Sequence, residues 1–303
     1  MCRMKKMTGV VLIFMCCMLC INGTISAQGI IKTGSNVMAT PIEELRKTVV
    51  FIGRLNVSDG RPEIFATGFL VNVQNTFHLI TAKHVIINPQ TGALQDSDVL
   101  VFFNLRSGGV TIRSISEIKK EFGVDWVFHP DPKVDIAIIP FLVNPAEDDV
   151  RVISDSLFLE SDQLHELYDV FFLSYQPGID PKGRIKPIVR NGVISLMNDD
   201  RTFYIDATVF PGNSGSPVFV KPSPIRLGQS GYTIGNDTIG GRFIGIIGDY
   251  LCRQELAVSA QTGRPRIVFE ENTGLSKVWS VTMIREVIGS EAFEKQLKKI
   301  RGK

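Results

Sequence analysis

The stretch Asp206-Ala-Thr-Val-Phe-Pro-Gly-Asn-Ser-Gly-Ser-Pro-Val-Phe219 decides how this chain is read. At its centre Ser214 lies between Asn213 and Gly215, with Gly212 two positions earlier. Glycines on both sides let the backbone bend sharply and let another backbone approach closely. The N–H groups of Gly212 and Ser214 can then converge on one developing negative charge, forming an oxyanion hole. Taken alone, the same residues also describe a Gly/Ser/Pro turn between two strands. The rest of the chain has to separate these readings.

Two upstream segments bear on it. Thr67-Gly-Phe-Leu-Val71 precedes Leu79-Ile-Thr-Ala-Lys-His-Val85, an apolar strand that runs directly into His84. An imidazole at the end of a rigid strand can be held within hydrogen-bond reach of a nucleophile. The other three histidines read as surface or structural residues. His78 alternates with apolar neighbours, His129 precedes Pro130, and His165 falls in a polar, helical-looking segment. The second segment is Val134-Asp-Ile-Ala-Ile-Ile-Pro140. A carboxylate opening an apolar strand is costly to bury without a partner, so Asp135 is either an exposed edge residue or a paired one. Beside His84 it would fix the ring tautomer and stabilise the imidazolium formed when Ser214 gives up its proton.

Around these segments, short runs rich in β-branched and aromatic residues recur, separated by Gly, Pro, Asn and Asp. Six lie between Thr48 and Phe141, and about seven between Asp169 and Val281. A charged, loop-like connector, Asn144 to about Asp155, divides them, and Thr282–Ile300 carries apolar residues at helical spacing. This predicts an all-β fold of two tandem antiparallel β-barrels with a C-terminal α-helix; one large β-sandwich fits the same pattern. The expected boundaries are barrel one at about 47–143, barrel two at about 153–281 and the helix at 282–300, within a domain spanning 47–303.

Composition narrows the setting. Of the 303 residues, 44% are hydrophobic and 21% charged, which excludes wholesale disorder. Arg3, Lys5 and Lys6 and the apolar run Val10–Ile21, followed by a polar, small-residue stretch to Ala27, read as a secretory signal over 1–27, with a linker over 28–46. The run is short for a spanning helix, so no stable membrane span is expected after cleavage, although an uncleaved anchor is the alternative. Residues 28–303 carry 30 basic and 31 acidic side chains, without the footprint of a nucleic-acid binder. Four of the five cysteines fall in the signal, so the exported domain, periplasmic or secreted, has no disulfide framework and Cys252 is expected to pack at a strand end. There is no HExxH, and the Cys17–Cys20 spacing lies inside the signal, so no metal or other cofactor is expected.

Together, TGFLV, LITAKHV, VDIAIIP and DATVFPGNSGSPVF resemble the chymotrypsin-like serine proteases, bacterial type, and are similar to glutamyl endopeptidases and Deg-type protease domains. The order His84, Asp135, Ser214 is the chymotrypsin order. The resemblance implies His84 as base and acid, Asp135 as its orienter, Ser214 as nucleophile, and the Gly212 and Ser214 amides as oxyanion hole. It also places substrate against Thr208, Phe210, Ile247 and Gly248. Protein or peptide substrates are the partners implied, and oligomeric state is left open. Two departures stand out. Asn213 occupies the position where zymogen-type members carry an Asp that pairs with a released N-terminus. Ile244-Gly-Ile-Ile-Gly248 lacks the histidine with which glutamyl endopeptidases meet an acidic side chain, and Asp249 follows it directly. A catalytically silent protease-like binding module, and an esterase with little peptidase activity, are the alternative functions.

Overall fold

The computed structural model describes residues 42–56, 58–88, 90–95, 97–179, 183–228, 231–235 and 237–302, and the backbone of 30–31. The expected signal over 1–27 lies outside the described residues. The end of the expected linker is helical: α1 (Ile42–Arg46) buries Leu45.

The first half supplies β1 (Ile30–Ile31), β2 (Val49–Leu55), β3 (Pro62–Val73), β4 (Thr76–Thr81), β5 (Leu100–Asn104), β6 (Val110–Ser114), helix α2 (Ile115–Phe122), β7 (Val127–Phe128), β8 (Ala137–Pro140) and β9 (Val152–Ser154). These strands make a nine-stranded sheet in the order β6-β5-β2-β3-β4-β8-β7, with β9 parallel to β3 and β1 parallel to β9. The second half supplies β10 (Asp169–Ser174), β11 (Ile188–Met197), β12 (Thr202–Asp206), β13 (Pro217–Val220), the small hairpin β14 (Ile225–Gly228) and β15 (Gly231–Ile234), β16 (Phe243–Val258) and β17 (Pro265–Ser280). Six of them close a barrel in the order β10-β11-β12-β17-β16-β13. The tandem β plan expected from the pattern is therefore present, with the first unit a sheet whose ladder ends at β6 and β7.

One local feature sets the geometry of everything near His84. β3 and β4 are joined by Gln74 and Asn75, both with positive φ (50° and 64°). Two consecutive left-handed residues give a tight hairpin whose twist matches that of the strands. The turn locks Val73 opposite Thr76, and the same register runs back to Phe69 opposite Ile80. A one-residue slip would turn the buried faces of both strands outward, so the register is strongly specified.

The chain ends in two helices, α3 (Val281–Ile288) and α4 (Glu291–Arg301), where a single helix was expected. Ser290 begins α4 by accepting from Phe293 N at 3.2 Å, which caps a new helix in a different direction. That change of direction carries α4 back from the barrel to the first sheet. There Phe293 and Leu297 are buried, Gln296 Oε1 accepts from Asp125 N, and Lys299 donates to Gly123 O. The expected strands Gly241–Gly248, Arg266–Glu270 and Lys277–Val281 are parts of one long ribbon, β16–β17, whose outer end exposes Leu256, Val258, Ile267, Val268 and Phe269. Cys252 sits on that ribbon as an exposed free thiol, not in a packed position, because the ribbon there has left the barrel.

His78 is fully buried on β4, with its ring against Phe293 of α4 at 4.8 Å. Its Nδ1 faces Thr76 O at 3.2 Å, and its Nε2 has no partner. Burial depresses its pKa to about 4, the Thr76 carbonyl opposes this, and the Arg301 charge adds to it. The unfolded chain therefore takes up a proton from about pH 6.5 downwards, before the folded protein does. His78 leaves stability intact above pH 6.5 and erodes it as the pH falls to about 4, by about 3 kcal/mol in all. His78→Phe should remove most of this loss, measured as the difference in urea unfolding free energy between pH 7 and pH 4.

Candidate active site

Thr81 at the end of β4 pairs with Ala137 at the start of β8. Continuing past that pair, the two chains bring the turn Lys83–Val85 opposite Asp135, so sheet register alone sets His84 beside the carboxylate. Both oxygens are used. Asp135 Oδ1 accepts from His84 N at 2.8 Å, and Oδ2 lies 2.6 Å from His84 Nδ1. Such a two-point contact fixes ring orientation as well as distance. With the proton on Nδ1 satisfied by carboxylate, Nε2 is left as a proton acceptor facing outward. Burial works against the imidazolium, but the hydrogen bond and charge of Asp135, with the charge of Asp249, outweigh it and raise the His84 pKa above 6.5. Asp135 thus precedes its strand in a paired position, and the exposed-edge reading is excluded.

The Ser214 loop reaches the same place from the barrel. Gly215 has a φ of +82°, and a Cβ there would lie 2.2 Å from Thr67 O, 2.4 Å from Thr81 Oγ1 and 3.0 Å from Ala82 N. Only glycine lets the loop press this closely on the middle of β3 and the end of β4, where Ala82 is two residues from His84. Four hydrogen bonds hold it there. Thr67 N donates to Ser214 O (3.1 Å), Gly215 N to Ile247 O (2.8 Å), Ile247 N to Ser216 O (2.9 Å) and Thr67 Oγ1 to Gly212 O (2.8 Å). Among the described residues, the N–H groups of Gly212 and Ser214 meet no protein acceptor. Ser214 Oγ likewise makes no protein hydrogen bond, so its contact with His84 is not closed in this structure. Such contacts often tighten only when substrate is bound.

Asn213 is fully buried and ties the loop to the barrel. Its Nδ2 donates to Tyr175 O at 2.5 Å, and its Oδ1 accepts from Phe210 N at 2.9 Å. Tyr175 N in turn donates to Thr67 Oγ1 at 3.0 Å. The Thr67 hydroxyl therefore joins β3, the end of β10 and the Ser214 loop.

The four residues expected against substrate do not behave alike. Thr208 is exposed, and its carbonyl accepts from Arg190 Nη1 at 3.2 Å. Phe210 is 42% exposed, with the Arg190 guanidinium 5.2 Å from its ring centre. The Ile247 side chain is fully buried in the barrel core, and its backbone N–H and C=O bond to the Ser214 loop. Gly248 has no room for a side chain, since a Cβ would lie 2.4 Å from Trp279 Nε1. Sequence reasoning assigned no role to Thr67, Tyr175 or Arg190. Their partners lie 14 to 147 positions away (214 − 67 for Thr67 and Ser214), and the one available signal was a small hydroxyl opening the TGFLV segment. Among the described residues no group of three or more His, Cys, Asp or Glu is placed to hold a metal ion.

A two-unit β fold with a His–Asp pair on one unit and a glycine-flanked serine loop from the other is the architecture of a trypsin-like peptidase. Residues 66–223, just over half of the chain, match the family described as trypsin-like peptidase domain, and the chain belongs to that family. No curated protein matches the sequence. Among solved structures, it is similar to an HtrA-type protease with a decapeptide (14% identity, TM-score 0.45, covering 82% of this chain and 65% of that one). It is also similar to Deg5 (18% identity, TM-score 0.43, covering 68% and 81%). This chain thus spans less than two thirds of the length of the first of these structures.

Two outcomes follow from the seam. If the Gly212 and Ser214 N–H groups serve as an oxyanion hole, where loss of one donor costs about 10²–10³, Thr67→Val should lower kcat by about tenfold, since it frees only the Gly212 carbonyl. Thr67→Ser should keep most of the activity. Gly215→Ala should cost more than about 3 kcal/mol in chemical unfolding, because its Cβ meets backbone that cannot move aside.

Proposed function

We propose that this protein is an exported serine endopeptidase that cleaves peptide bonds through an acyl-enzyme, with His84, Asp135 and Ser214 as its triad. The observation that carries the reading is the two-point His84–Asp135 contact beside a serine loop whose Gly212 and Ser214 N–H groups have no protein acceptor. Ser214 Oγ attacks the scissile carbonyl while His84 Nε2 takes its proton. Negative charge collects on the carbonyl oxygen, where the two free N–H groups receive it. His84 then protonates the leaving amine, and water repeats the sequence on the ester. Asp135 keeps the imidazole oriented and stabilises its charged form throughout.

Asn213 supports a site that needs no charged activator. Its amide already makes the two hydrogen bonds that seat the loop, both to backbone groups. Activity is therefore independent of a newly released N-terminus. A form extended before Gln28 should cleave at a rate within about twofold of the trimmed form, and an inactive extended form activated by trimming would overturn this. Export rests on the basic, then apolar, then small-residue pattern of 1–27. N-terminal sequencing of protein recovered outside the cytoplasm should begin at Gln28.

The primary test is covalent labelling of purified protein by a fluorophosphonate, with Ser214→Ala and His84→Ala as controls, followed by a peptide-library cleavage screen. Labelling should require both residues, and peptide cleavage should accompany ester cleavage. Absence of labelling in folded wild type would favour a silent binding module. Because His84 must be neutral to accept a proton and its pKa is raised, kcat/KM should fall on acidification with a midpoint above 6.5.

A further inference from the structure

Among the described residues, Asp249 is the one carboxylate besides Asp135 whose charge is felt at His84. Its position follows from the backbone. Ile247 is clamped to Gly215 and Ser216 by two hydrogen bonds, so Gly248 and Asp249 emerge on the rim directly alongside the Ser214 loop. β16 leaves its partner β13 after Ile246, and its register on β17 shifts between Ile247 and Tyr250. Among the described residues, Gly248–Tyr250 therefore presents a strand edge without a neighbour on the β13 side. Asp249 itself is exposed, and its Oδ1 accepts from Tyr250 N at 2.8 Å, which pins the carboxylate and leaves Oδ2 free. Among the described residues no Lys or Arg forms an ion pair with it. Lys83, next to His84 in the sequence, donates to Pro132 O.

An extended peptide can add to a free strand edge, with main-chain bonds giving affinity and alternate side chains giving selectivity. A peptide whose carbonyl sits at Ser214 and whose preceding residues run along Gly248–Tyr250 passes between Asp249 and His84. We infer that Asp249 is a specificity-determining residue that receives a cationic side chain, Lys or Arg, from the substrate residue immediately before the one acylated on Ser214. The inference rests on the peptidase reading and adds a charge preference to it. Thr208 and Gly248, expected against the acylated residue, carry no charge of their own.

The test uses the full exported chain and peptides that differ only at that neighbouring position: Lys, norleucine or Glu. Wild type should cleave the Lys peptide with a kcat/KM roughly fivefold or more above norleucine at low salt, with Glu poorest, and the ratio should shrink at about 0.5 M salt. Asp249→Asn should bring Lys and norleucine within about twofold, and Asp249→Lys should favour Glu. A wild type indifferent to the three peptides, or an Asp249→Asn variant that still prefers Lys, would overturn the inference. Binding of the same peptides to Ser214→Ala, followed by fluorescence anisotropy, separates it from the reading beneath it. If wild type fails to cleave but Ser214→Ala binds Lys over norleucine in an Asp249-dependent way, the peptidase reading fails and the Asp249 site stands. If binding shows no preference while cleavage proceeds, and cleavage shows none either, the site fails and the peptidase stands.

Discussion

The hydroxyl of Thr67 is where the two halves of the molecule become one site. It donates to the carbonyl of Gly212 and accepts from the amide of Tyr175, while its own amide holds Ser214 O and its own carbonyl receives Thr81 Oγ1. All four groups are buried or half-buried, so each bond also spares a polar atom from desolvation without a partner. The consequence is geometric. His84 and Asp135 are fixed to the first sheet by the β4–β8 register, and Ser214 belongs to the barrel. The seam at Thr67 and Gly215 sets the distance between them. A site split over two units needs such a fixed seam, because misplacing the reacting groups by about 1 Å can cost about 10² in rate.

How much of this was readable in advance depended on whether the determining interaction was local. The strands TFHLIT and PVFV are found where alternation and turn residues put them, since each is bounded by its own breakers. The His84, Asp135 and Ser214 segments were legible because each pairs a polar residue with an apolar strand in an otherwise unexplained position. Thr67 was not, because a threonine beside a glycine is ordinary in a strand and its partner Gly212 lies 145 residues away. The β16–β17 ribbon was broken into three pieces for a related reason. Its barrel portion is a run of buried residues, Phe243–Gly248, but beyond Tyr250 both faces are exposed and charges alternate with apolar residues, so no single period runs through it. The split of the terminal helix at Gly289-Ser290 carried a local signal, a serine able to cap a new helix, which the overall helical spacing concealed.

Two carboxylates act on the charge of one imidazole, and their surroundings differ. Asp135 is 16% exposed and has both oxygens committed to His84, so it orients and has nothing left for a ligand. Asp249 is exposed, tied at one oxygen to the next residue's amide, and free at the other. The first acts through short hydrogen bonds in a partly desolvated position, where geometry dominates. The second acts through a longer, solvent-screened field that salt weakens. The same histidine can therefore be positioned by one acid and electrostatically coupled to the other without competition for its ring nitrogens.

Asn213 completes this logic from the residue before Ser214. An aspartate at that buried position would need a cation to offset its desolvation, and supplying or withholding that cation makes a switch. The amide removes the need. It donates to Tyr175 O and accepts from Phe210 N, both main-chain groups of elements already fixed in the barrel, so the loop is seated by neutral bonds that the fold itself provides. Gly212 can then hold its φ of +98°, against the Tyr175 ring, without an external trigger. The positive-φ backbone at Gly212 is thus maintained by the same barrel packing that seats Ser214.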